Sequence, residues 1–242
     1  IIDRDVRILR QTVQTRLNLE MAATEEMFGI ALEIVPDIIT LVPEKREEIT
    51  TEGGLDVIGA SKIMRDGIKQ LRDAGIRVSL FIDPDVEQIT RAQEIGADRI
   101  ELYTGPFAES ISGDQESLIV EEYSKAIKHA RSIGLEVNAG HDLNLKNLPF
   151  LVDCGEIKEV SIGHALICES LYYGLENTIK KYFKILYNSN YLYRGDQLIS
   201  LHSHLQQKSL FLHPIPNLSE DHKLYYRYYR LMLSYDQFQH HK

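Results

Sequence analysis

At 242 residues and 27.8 kDa, 43% hydrophobic and 26% charged, with a mean hydropathy of −0.23, the chain has the composition of a globular protein with one sizeable core or two small ones. Its 27 basic and 36 acidic residues leave a net charge of −9, which argues against nucleic acid or an anionic membrane as main partner. No run of about 18 apolar residues offers a membrane span. The start, Ile1-Ile2-Asp3-Arg4-Asp5, has neither an initiator Met nor a signal-peptide core, as expected of a chain whose beginning is missing. Two cysteines, Cys154 and Cys168, are too few for a disulfide framework and favour a reducing compartment.

Charge is unevenly spread. Residues 189–242 carry six Lys/Arg and four Asp/Glu, a net +2, and hold six of the nine histidines. The remaining 21 basic and 32 acidic residues give 1–188 a net −11, so a boundary is expected near residue 188.

Within 1–188, short apolar runs alternate with segments of helical period. Residues 15–21 read as a strand, and Thr24 can cap a helix running to about Ile34. Residues 37–42 form the next strand, closed by Pro43. A polar loop, 44–54, contains Lys45-Arg46 and Thr50-Thr51-Glu52-Gly53-Gly54. Ser61 opens a helix through Leu71, with Gly75 placed as a C-cap glycine. Residues 76–82 lead to Asp83-Pro84 and a helix ending at Gly96. Residues 99–103 lead to Thr104-Gly105, and a long helix from about Glu116 stops at Gly134. Residues 135–139 lead to Gly140-His141, and 157–162 to Gly163-His164. Six strand–helix units of this kind indicate a parallel sheet covered by helices. The tail, 189–242, breaks the rhythm and is expected to be poorly ordered or helical, with Leu224 to Leu233 able to form one amphipathic helix.

A doubly wound sheet and an eight-stranded barrel both fit this pattern. A doubly wound nucleotide binder should show G-x-G-x-x-G after its first strand, and that motif is absent. Polar residues able to face inward, Asn18, Glu101 and Asn138, stand near strand C-termini, where barrel enzymes place chemistry. The barrel is favoured, although six units cannot close an eight-stranded one.

Glu20, Thr50, Asp83, Glu101, Thr104, His141 and His164 all lie at or just beyond strand ends and would converge on one mouth of a barrel. Glu20 and Glu101 interrupt apolar runs, as partly desolvated carboxylates suited to proton transfer, although a single Glu more often pairs with a neighbouring Arg or Lys. His141 follows a strand and a glycine, where a backbone can approach a ligand closely; a structural loop histidine is an equal alternative. Ser161-Ile162-Gly163-His164 ends a strand and opens a helix whose free N–H groups suit phosphate, against the plainer reading of a tight turn. Lys45-Arg46 reads as solvated charge, His129 as an exposed helix residue, and the cysteines as inert buried thiols. No spacing suggests a metal site.

Particular segments resemble the pyridoxine 5′-phosphate synthase family. They are Thr15-Arg16-Leu17-Asn18-Leu19-Glu20-Met21, Leu41-Val42-Pro43-Glu44-Lys45-Arg46, Thr50 to Val57, Val78 to Asp83, Ile100 to Gly105, Val137 to His141 and Ile162 to Ala165. The likeness runs from residue 1 to about 185 in order and spacing. It implies a (β/α)8 TIM barrel, a cytoplasmic homo-oligomer (an octamer) that works without metal or organic cofactor. The implied reaction condenses 3-amino-2-oxopropyl phosphate with 1-deoxy-D-xylulose 5-phosphate to pyridoxine 5′-phosphate, phosphate and water. By the same resemblance Glu20 is a general base, His141 a general acid and Glu101 a stabiliser of transition-state charge. Thr50 would contact the deoxyxylulose phosphate, Asp142 would offer a backbone contact, and Gly163 and His164 would cradle the aminoketone phosphate.

The chain departs from the family at both ends. The family begins with two more strand–helix units, carrying an Asn-x-Asp-His segment and a catalytic His-x-Arg motif, and ends near residue 187. Asp142 replaces the glycine that some members have after the histidine. Two alternatives remain at this stage: a catalytically inactive relative that binds sugar phosphates or docks onto complete subunits, and a Schiff-base aldolase, for which Lys158 is the only lysine in an expected strand.

Overall fold

The structure, a computed structural model, describes residues 3–43, 53–111 and 113–188. In chain order its elements are α1 (Asp3–Thr12), β1 (Asn18–Met21), α2 (Glu25–Ile34), β2 (Ile38–Leu41), α3 (Lys62–Asp73), β3 (Arg77–Ile82), α4 (Val86–Glu94) and β4 (Arg99–Tyr103). There follow α5 (Gly105–Ser110), α6 (Glu116–Ser132), β5 (Glu136–Gly140), α7 (Leu148–Cys154), β6 (Glu159–Ser161), α8 (His164–Tyr173) and α9 (Leu175–Asn188). The starts of α2, α3 and α4 are fixed by side-chain caps. Thr24 accepts from the Met27 N–H at 3.3 Å, Ser61 from Met64 at 3.1 Å, and Asp85 from Glu87 and Gln88 at 2.7 and 2.9 Å. Gly75, at φ 78°, reverses the chain after α3 in left-handed backbone that a β-carbon would disfavour.

The six strands are all parallel and lie in the order β1-β2-β3-β4-β5-β6. Alternation separates the faces. Ile39, Leu41, Leu80, Ile100, Leu102 and Val137 point one way and join a single core with apolar residues of the helices, such as Phe28, Ile68 and Tyr123. The other face carries Glu20, Thr40, Ser79, Glu101 and Asn138 and lies apart from that core. Doubly wound folds cover both faces with helices and reverse strand order at a switch point. Here order is sequential and, among the described residues, helices pack on one face, so the sheet is a half-barrel.

Its ladder is staggered. Arg77 starts β3 in register with Ile38 at the start of β2, but Arg99, which starts β4, pairs with Ser79, two residues further along β3. The same two-residue step recurs between β5 and β6, where Glu159 pairs with Asn138. Such stagger is what tilted strands need in order to curl toward closure.

Charged residues fill the N-terminal end of the inner face. Arg77, Arg99, Glu136 and Glu159 are the first residues of four successive strands. The almost fully buried Arg99 donates to Glu136 at 2.6 Å and Glu159 at 3.0 Å, and Arg77 donates to Glu136 at 2.8 Å. Burial alone would raise the Glu136 carboxyl, but the hydrogen bonds and charge of Arg99 and Arg77 outweigh it and hold that group below its ordinary range.

Two expectations need adjustment. The strand expected over 157–162 is shorter, leaving Lys158 outside it. No element was expected over residues 3–12, yet α1 forms there, seating Val6 against Leu17 and Ile34 while Arg7 pairs with Glu33 of α2. Among the described residues no helix is long and apolar enough to cross a membrane. The tail, 189–242, lies outside the described residues, as do Lys45, Arg46 and Thr50.

Candidate active site

The inner face is built in layers. The third residue of every strand is polar: Glu20, Thr40, Ser79, Glu101, Asn138 and Ser161. All but the half-buried Glu20 are buried. Thr40 and Asn18 bond to each other through their side chains at 3.1 Å. Ser79 Oγ, both amide atoms of Asn138 and Ser161 Oγ find no hydrogen-bond partner among the described residues. Buried polar atoms are normally satisfied, so this layer suits a polar occupant.

Above it, at the C-terminal ends, stands a rim of Phe81, Tyr103, Gly140 and His141. A β-carbon built on Gly140 falls 2.5 Å from Glu101 Oε1 and 2.8 Å from the Ser161 β-carbon. The missing side chain at 140 therefore leaves room for the Glu101 carboxylate against β5, one residue before His141. The Tyr103 ring meets the His141 ring edge-on at 5.1 Å and 75°, and Phe81 backs Tyr103 at 5.5 Å. The buried Tyr123 of α6 donates its hydroxyl to the Tyr103 carbonyl, fixing the backbone behind that ring.

His141 and Asp142 both take positive φ, 94° and 56°, and the turn brings Asp142 Oδ2 to 2.9 Å from His141 Nδ1. The Thr104 hydroxyl donates to the His141 carbonyl at 2.5 Å, and Asn147 Nδ2 to the Asp142 carbonyl at 3.0 Å. The pairing of His141 with its exposed neighbour Asp142 was not expected from sequence, because adjacent residues in extended chain face opposite ways. The run Gly140-His141-Asp142 is the only local sign of a turn.

Glu101, His141 and Asp142 are thus brought together where β4 meets β5. Gly163 and His164 lie just beyond Ser161 on the neighbouring β6, and Gly163 precedes the first turn of α8. The His164 ring is exposed and turns along its own helix, with Nε2 3.4 Å from Cys168 Sγ. Glu20 shares the inner face but stands on β1, three strands from Glu101. Asp83 is exposed and caps the returning loop, accepting the Gly54 N–H at 3.0 Å.

Three smaller expectations are corrected. His129 is half-buried rather than exposed, its Nε2 2.8 Å from Thr90 Oγ1 across the α4–α6 contact. Cys168 is only partly buried, unlike Cys154, whose thiol burial pushes up to about 11. Lys158 precedes β6 at the N-terminal end and pairs with Glu156 at 2.5 Å, far along the strand from the rim where a Schiff-base lysine would be needed.

Titratable side chains at the C-terminal ends of a staggered parallel sheet, with the described helices packed on its other face, mark an α/β half-barrel of the kind whose strand ends carry enzyme chemistry. The sequence model of one family, described as pyridoxal phosphate biosynthesis protein PdxJ, matches residues 1–188. Curated pyridoxine 5′-phosphate synthases are similar along much of their length. That of Geobacter sulfurreducens is 50% identical over 180 residues, covering 74% of this chain and 75% of its own. Those of Pelobacter propionicus and Blochmanniella floridana are 49% and 50% identical over 186 residues, covering 77% of this chain and 78% and 75% of theirs. The chain belongs to the PdxJ family. Among solved structures, a cube-shaped, highly porous protein cage designed by fusing symmetric oligomeric domains shares the fold. The TM-score is 0.50 at 12% identity, over 86% of this chain and 65% of that one.

Proposed function

We propose that the chain condenses 3-amino-2-oxopropyl phosphate with 1-deoxy-D-xylulose 5-phosphate, releasing pyridoxine 5′-phosphate, phosphate and water without metal or organic cofactor. The observation that carries this reading is the polar inner layer ending at Glu101 and His141 on the helix-free face of a PdxJ-family half-barrel. Ring closure needs imine formation, dehydrations and proton shuttling between two anionic substrates, so it calls for positioned acids, bases and anion donors. Glu20 serves as general base and His141 as general acid, while Glu101 stabilises developing charge. The main-chain N–H groups at Gly163 and His164 hold the aminoketone phosphate at the positive end of α8. Thr50 contacts the deoxyxylulose phosphate, and Asp142 contributes through its main chain.

The same reading makes the sheet six strands of a (β/α)8 barrel, closed by two further strand–helix units between β6 and β1. In support, the matched stretch spans 75% of the Geobacter relative, the share that six units of eight would occupy. Assembly into a homo-oligomer, an octamer by family resemblance, is supported by Ile167, Leu171, Tyr172 and Leu175, exposed on α8 and α9. Two unpaired thiols support a cytoplasmic setting.

The test is turnover of the two substrates by the protein in its longest natural form. Pyridoxine 5′-phosphate and phosphate should appear together, and Glu20→Gln or His141→Gln should each lower kcat by about 10²–10⁴-fold. Tight binding of both phosphates without product would instead make the chain an inactive relative.

A further inference from the structure

Positive φ at successive residues that are not glycine is backbone that L side chains seldom adopt, and His141 and Asp142 are such a pair. Their surroundings hold them there. Besides the Thr104 hydroxyl on the His141 carbonyl, the Thr104 N–H donates to the Gly140 carbonyl at 3.0 Å, and Asn147 grips the Asp142 carbonyl. This bend is what lets neighbouring side chains meet, 2.9 Å between Nδ1 and Oδ2. The Asp142 side chain is 61% exposed, so the contact adds little to stability. Strain retained around a contact of small stabilising value points to function.

We propose that Asp142 is a positioning residue, which accepts the Nδ1–H of His141 and thereby commits Nε2 to exchanging a proton with the ligand. Tyr103 packs edge-on against the imidazole, its ring centroid 5.1 Å away. Glu101, the second carboxylate nearby, lies against Gly140. A partner on one ring nitrogen fixes the tautomer that the other nitrogen presents. The inference rests on His141 as the proton-transfer group.

The test uses the full chain with histidine side chains labelled with nitrogen-15, the His141 signals being assigned from His141→Gln. The wild type should show the Nδ1–H tautomer at His141. Asp142→Asn, which keeps an acceptor oxygen and tolerates left-handed backbone, should retain it. Asp142→Gly, relaxed at this φ and unchanged in melting temperature, should revert to Nε2–H. In turnover, Asp142→Gly should lose roughly tenfold to a hundredfold in kcat with little change in KM, and Asp142→Asn should recover most of it. An Nε2–H signal in the wild type, or the same tautomer in wild type and Asp142→Gly, would overturn the proposal. If His141→Gln turned over at the wild-type rate, the proton-transfer reading would fall and this inference with it, a result kept distinct by the tautomer signals.

Discussion

A side chain at position 140 would have to occupy the space that the Glu101 carboxylate fills, 2.5 Å from a β-carbon built there. Gly140→Ala should therefore push Glu101 away from the rim, lowering kcat at least tenfold while costing about 1–3 kcal/mol in stability, as measured by kinetics beside urea melts. Wild-type kcat in that variant would show that the placement of the Glu101 carboxylate is irrelevant. The two thiols should also separate. With Cys154 buried and Cys168 half-exposed beside the His164 imidazole, a thiol reagent should modify one cysteine rapidly in the native protein and the second only on unfolding. At this scale the sequence was legible where a residue ends a strand. Glu101 and His141 stood out as polar groups interrupting or following apolar runs, and they stand on neighbouring strands, Glu101 within β4 and His141 just past β5. The His141–Asp142 contact was not legible, because it depends on two positive φ angles that ordinary L-residues seldom adopt.

Among the elements, helix starts were legible because capping is local: Thr24 and Ser61 begin the helices they were expected to begin. Helix α1 went unread. Val6, Leu9 and Val13 have helical spacing, but so few apolar residues among charged ones make a weak signal. The quartet of first-of-strand charges also escaped notice, since its ion pairs join residues 37 to 60 positions apart. Arg99→Leu should cost about 3 kcal/mol in chemical denaturation, the lower end for a buried pair, because Glu136 keeps a third of its side-chain surface in water. Acid should reveal the same contacts. The Glu136 carboxyl is held below its ordinary range in the folded protein, so the unfolded chain takes up its proton first as pH falls. Stability from this group is complete above the ordinary carboxylate range and is lost as pH drops through the lower folded value. The slope of stability against pH in that acid window should be shallower in Arg99→Leu.

For the whole molecule, the repeating strand–helix rhythm announced a parallel α/β architecture, and sequential strand order with one helix-covered face is that of a half-barrel. Alternation within a strand shows that two faces differ, but only pairing across strands shows that Glu20, Thr40 and Ser79 stand side by side and that Glu101 and Asn138 follow one two-residue step further along the inner face. The two-residue steps in register that tilt the strands are invisible in any single segment. Charge follows this architecture, with an ion-paired quartet at the N-terminal end of the inner face and the titratable side chains of Glu101 and His141 toward the other. Convergence of these groups on one ligand is tested most directly by a crystal structure of the protein with 1-deoxy-D-xylulose 5-phosphate bound. The ligand is expected on the helix-free face at the C-terminal rim, with Glu101 or His141 within about 2.6–3.2 Å of its polar atoms. A ligand seated at the N-terminal charge quartet, or among the outer helices, would contradict it.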